Sequence, residues 1–193
     1  MKRPASSTRA KPSPVPAGYN SVTAYLIVQD ASAAIVYYEQ VFGAKEELRM
    51  PAPGGKVGHC EMKIGDSKIM LADEFPGMNA VGPKTMGGSP ITIMVYVTDV
   101  DDVVERAVAH GGRIIRPVKD QFYGDRSGAI EDPQGHIWHV ATHVEDVSMK
   151  ELQRRSEAAM ASMPEGSRAE QPEPEQLGID LETAEQSAEA SPS

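Results

Sequence analysis

The chain has 193 residues, a formal net charge of −9 and a single cysteine, Cys60. That length suits one well-buried domain with extensions, and the acidic balance argues against a phosphate-backbone partner such as nucleic acid. One cysteine excludes an intrachain disulfide and suits a reducing cytoplasm, and no apolar run approaches the roughly 20 residues of a membrane span.

Residues 1–17 carry Lys2, Arg3, Arg9 and Lys11 among prolines and serines, with no acid. This composition predicts a disordered basic arm. It does not read as a secretory signal, because no apolar core follows the charges. A strand is predicted over Val22 to Val28 from its β-branched and aromatic content. Asp30 then caps a helix whose apolar face is Ala34, Ile35, Tyr38, Val41 and Phe42, and Gly43 stops it. Three strands follow, near Lys45–Met50, Val57–Ile64 and Lys68–Ala72, with turns at Pro51–Gly55 and Gly65-Asp66. Residues Glu74 to Pro90, rich in Gly, Pro and Met, read as a linker.

The order then repeats. Ile91–Val97 is a strand, Asp99 a cap, and Val100, Val103, Val104, Ala107 and Val108 an apolar helical stripe. Strands near Arg113–Pro117, Gly124–Glu131 and His136–His143 complete the unit, with Asp132-Pro133-Gln134-Gly135 as the last turn. A single offset of 69 relates the halves: Thr23 to Thr92, Val28-Gln29-Asp30 to Val97-Thr98-Asp99, Gly43 to Gly112. The prediction is an α+β domain over 18–147, made of two βαβββ modules (about 18–75 and 88–147) in a pseudo-twofold open, cupped sheet with helices outside. Ser148 and Glu151 form a capping box for a C-terminal helix over 148–163. Residues 164–193 predict a disordered acidic tail, for from Ser148 onward ten acids face four bases.

This duplication, together with Gly124-Asp125-Arg126, Asp132-Pro133-Gln134-Gly135-His136-Ile137-Trp138 and Ala141-Thr142-His143, resembles the vicinal oxygen chelate superfamily of glyoxalases, bleomycin-resistance proteins and extradiol dioxygenases. Its PhnB-like branch is the nearest in appearance. The resemblance covers Tyr19 to Val147. It implies a small-molecule cleft between the modules and a homodimer. It also implies a divalent-metal site with one ligand on the first and last strand of each module. Those positions here are Thr23, Met70, Thr92 and His139. Only His139 is a good ligand, so no cofactor is expected.

Alternation along the strands turns Thr23, Tyr25 and Ile27 inward. Pairing Ile64 with Ser67 sets Glu61 opposite Met70 and His59 opposite Ala72. Pairing Glu131 with His136 sets Gly128 opposite His139 and Arg126 opposite Ala141. The expected cleft then holds Tyr25, His59, Glu61, Tyr96, Arg126, His139 and His143, suited to a small anionic or hydroxylated molecule. His59, Glu61 and His139 are the candidate catalytic groups, His59 as a base oriented by Glu61; the alternative is a structural hydrogen-bonded pair. Tyr25, Tyr96, Arg126 and His143 are candidate ligand contacts. Arg126 is either an anion clamp or a partner of Asp125 or Glu145. Trp138 reads as core, His136 as structural, and Cys60 as a buried thiol on the face opposite His59. Three functions remain open at this point: metal-free binding, a metal-dependent lyase, isomerase or dioxygenase, and an interaction module using its acidic tail.

Overall fold

The computed structural model describes residues 12–162. The first part of the predicted basic arm and the predicted acidic tail lie outside the described residues.

Asp30 and Asp99 open the two long helices as their side chains imply. Asp30 accepts from the Ala33 amide at 2.8 Å and Asp99 from the Asp102 amide at 3.1 Å. The helices are α1 (Ala31–Phe42) and α3 (Val100–Ala109). Gly43 ends α1 at φ 63°, a left-handed conformation that glycine adopts without strain.

Around them lie the strands β1 (Ala24–Val28), β2 (Lys45–Pro51), β3 (Val57–Ile64) and β4 (Ser67–Asp73), then β5 (Thr92–Tyr96), β6 (Arg113–Asp120), β7 (Asp125–Glu131) and β8 (Ile137–His143). They form two four-stranded mixed sheets, ordered β1-β4-β3-β2 and β5-β8-β7-β6. In each, the first and last strands of a module pair in parallel and the others antiparallel. The duplication foreseen in the sequence is therefore the architecture. The linker is more ordered than its composition predicts: it contains a 3-10 turn at Pro76–Met78 and a short helix, α2 (Pro83–Met86). Separately, α4 (Met149–Ala161) starts at Ser148, whose hydroxyl accepts from the Glu151 amide. No helix among the described residues is long and apolar enough to cross a membrane.

One core joins the modules on their helix-bearing side. Leu26, Val28, Cys60, Met62 and Leu71 from the first sheet and Ile130, Trp138 and Val140 from the second are buried with Ile35, Tyr38, Val103 and Ala107. Trp138 and Phe42 rings lie 4.6 Å apart, and Tyr38 and Trp138 5.4 Å. At the seam sits Asp132, 3% exposed. One of its oxygens accepts from the Tyr38 hydroxyl (2.7 Å) and the Trp138 indole (2.9 Å). The other accepts from the Gln134 and His136 amides (2.8 and 3.0 Å). His136 is structural, its Nε2 lying 3.2 Å from the Ile27 carbonyl. Cys60 is fully buried, and burial pushes its thiol up to about 11.

Corresponding positions at the ends of β4 and β8 hold the helix starts. Asp73 accepts from the Ala31 amide (2.9 Å) and the Val57 amide (2.6 Å). Thr142 accepts from the Val100 amide (2.9 Å) and donates to the Val97 carbonyl (3.0 Å).

Tyr37 stands out among the core polar groups, because its buried hydroxyl has no hydrogen-bond partner among the described residues. Removing a buried, unpaired polar atom relieves its desolvation cost. Tyr37→Phe is therefore expected to leave stability unchanged or raise it by up to about 1 kcal/mol, read as the urea midpoint. A loss of more than that would mean the hydroxyl is satisfied after all.

Candidate functional site

The faces of the two sheets turned away from the helices carry the polar groups, and register decides which. In the first module Gly65, at φ 57°, makes a two-residue turn, and Ile64 pairs with Ser67 and Glu61 with Met70 as the sequence predicts. In the second module the prediction fails by one residue. Glu131 pairs with Ile137 and Ser127 with Ala141, while Arg126 pairs with Thr142. The loop is three residues long, Pro133-Gln134-Gly135, because Asp132 bonds the His136 backbone and gathers the Gln134 and His136 amides.

That slip reverses β7. Arg126 turns to the helix side, where Asp101 of α3 takes it at 2.6 and 2.7 Å and Asp120 at 3.0 Å. It is not in the cleft, and neither partner is one the sequence suggested. Asp125, which the sequence suggested only as a partner for Arg126, faces inward instead and is 4% exposed.

Three inward polar groups result. On the first sheet the Tyr25 hydroxyl lies 2.8 Å from His59 Nδ1, and His59 Nε2 lies 3.5 Å from Glu61. Lys68 reaches Glu61 (3.3 Å) and Glu47 (2.7 Å), and its ammonium stands 4.2 Å from the centre of the Tyr19 ring. Glu47 is the extra residue of a bulge in β2. Hydrogen bonds from Tyr19, then Lys68 and His59, hold the Glu61 carboxyl below its ordinary range.

On the second sheet Asp125 accepts from Tyr96 (2.9 Å) and bonds His143 Nδ1 (2.8 Å), whose Nε2 meets Asp146 at 3.0 Å. The two carboxylates raise the His143 imidazole above its usual value. Nearer the middle of β8, a guanidinium nitrogen of Arg116 lies 3.1 and 3.3 Å from the ring nitrogens of His139. Burial and then the Arg116 charge push His139 below its usual value, so it is neutral at pH 7.

Arg116 reaches this face through breaks in the β6–β7 register on either side of its pairing with Ala129. Without the extra residue at Ile115, Arg116 would face the helices; the bulge re-aims it. Arg49, Arg106, Arg113, Arg126, Arg154 and Arg155 each hold a carboxylate. Arg116 alone among the described arginines has none within reach.

The structure thus brings Tyr25, His59 and Glu61 together, and Tyr96 with His143. It gives His139 an unforeseen arginine and removes Arg126. The positions expected of metal ligands do not fit a divalent ion. Thr23, Met70 and Thr92 offer two neutral hydroxyls and a thioether, and the one imidazole lies against a guanidinium that opposes a dication. No three His, Cys, Asp or Glu side chains among the described residues gather as a metal-holding group.

Two four-stranded mixed sheets, each built from one βαβββ module and open rather than closed into a barrel, define a duplicated α+β class of protein. Residues 18–140 match the model of the Glyoxalase/Bleomycin resistance protein/Dioxygenase superfamily, and the chain belongs to that superfamily. Uncharacterized protein Mb0911c of Mycobacterium bovis is 38% identical over 149 residues, covering 76% of this chain and 95% of that one. TioX from Micromonospora sp. ML1 is 28% identical with a TM-score of 0.52, covering 65% of this chain and 99% of that one. The PhnB protein of Bacillus cereus, at 17% identity and a TM-score of 0.52, covers 64% and 99% and shares the fold.

Proposed function

We propose that the protein binds a small anionic or hydroxylated molecule on its inward sheet faces, without a tightly held metal. The observation that carries this is Arg116, an inward guanidinium without a carboxylate in a chain of net charge −9. Guanidinium groups pair with carboxylates and phosphates through a fork of donors, and the neighbouring neutral imidazole of His139 adds a donor or acceptor without a competing charge. Tyr25 with His59, and Tyr96 with Asp125, present hydroxyl-binding groups on the same faces.

The test is thermal unfolding in a panel of small carboxylates, phosphonates and phosphates, each beside an uncharged analogue. A ligand at 100 times its Kd stabilises the folded state by about 2.7 kcal/mol. Selected anions are expected to raise Tm by several degrees, with no change on adding EDTA. The reading fails if every anion shifts wild type and Arg116→Ala equally.

A further inference from the structure

We infer that the seam between the modules holds a second site, an apolar pocket for a small uncharged molecule, separate from the Arg116 face. A cavity of about 260 Å³ opens beside β1 and the start of β5, walled by Leu26, Ile27, Val81, Pro83 and Ile93. Met86 and Ile91, 60% and 68% exposed, form its rim.

The linker wall is pinned rather than draped. The Gly82 amide donates to Glu74 at 2.7 Å, Gln29 donates to Thr85 at 3.0 Å, and a Cβ at Gly82 would come within 2.5 Å of the Ile27 carbonyl oxygen. A preformed concavity of this kind costs little ordering when it is filled.

Three features choose the occupant. No Asp, Glu, Lys or Arg lines the cavity, so an ion entering it would lose water and gain no counter-charge. Its two titratable rings add no charge near neutral pH: burial raises the Tyr25 phenol above its usual value, and His136, whose Nε2 lies 3.2 Å from the Ile27 carbonyl, is lowered by burial. The volume suits a ring compound, given that a dry cavity of about 150 Å³ takes benzene, and is too small for a helix or strand of a partner. The pocket also shares Tyr25 with the Tyr25–His59 pair, so an occupant touches one wall of the polar face.

Indole, uncharged and bicyclic, is the probe, followed by methyl NMR of the full chain. Saturable shifts are expected at Met86, Ile91 and Ile93. They should vanish in Ala24→Phe, which fills the mouth from an exposed position, and in Ile91→Asp, which charges the rim. Folding of both variants is checked by an unchanged Tm. Arg116→Ala should bind indole as wild type does, which separates this site from the anion site. Absence of saturable shifts, or shifts that persist in both folded variants, would overturn the proposal.

Discussion

Asp132→Ala is expected to destabilise the protein by about 4 kcal/mol, a large part of the 5–15 kcal/mol of a typical domain. The carboxylate takes four donors at the seam: the Tyr38 hydroxyl, the Trp138 indole and the Gln134 and His136 amides. Each buried donor left unpaired costs about 1–3 kcal/mol, reduced where water or relaxation re-satisfies it. Tyr38→Phe is the milder comparison, at about 1–2 kcal/mol, because Trp138 still donates to the same oxygen. Urea unfolding with unchanged m-values measures both. An Asp132→Ala variant within 1 kcal/mol of wild type would show that the seam is held by apolar packing alone.

Replacing Arg116 should act on binding rather than on folding. Hydrogen bonds to a charged group contribute about 1.5–3 kcal/mol, so Arg116→Ala is expected to weaken the selected anions by about 10- to 100-fold. Arg116→Lys should recover part of that, since it keeps the charge but loses the planar fork. The same substitution has a second readout at His139. Removing a neighbouring cation lets the imidazole accept a proton more readily, so its NMR titration should move up in Arg116→Ala. A bound anion does the same in wild type, so affinity should rise as pH falls toward the His139 pKa. The sign for stability is opposite. The folded His139 pKa is depressed, so the unfolded chain takes its proton first, and stability is lost below about pH 6.5 and unaffected above it. Equal anion affinity and an unmoved His139 titration in Arg116→Ala would remove this residue from the site.

What could be read from the sequence was local. Caps at Asp30, Asp99 and Ser148, the stop at Gly43 and the two apolar stripes depend on neighbours within one turn, and each lies where predicted, except that Val108, assigned to the second stripe, is exposed. The Tyr25–His59–Glu61 grouping was legible because a two-residue turn at Gly65-Asp66 leaves little choice of register. The second hairpin was misread because its loop length depends on where the Asp132 carboxylate finds donors, which alternation does not reveal. One residue of error there exchanged Asp125 for Arg126. Arg116 was missed for a related reason: an extra residue in β6 inverts its side, and nothing in Ile114-Ile115-Arg116 marks a bulge. The seam pocket depends on a linker whose composition predicted no structure at all.

The matched roles of Asp73 and Thr142 bear on that sensitivity. Each helix is tied to the last strand of its own module by one side chain, ionic in one copy and neutral in the other. A strand shifted by one position would swing that side chain through the sheet. The helix would then be left without its tie and, in the first module, the Val57 amide without its acceptor. The tie therefore works as a checksum on strand pairing: a module that assembles out of step cannot also seat its helix, and the error is rejected within the half that made it.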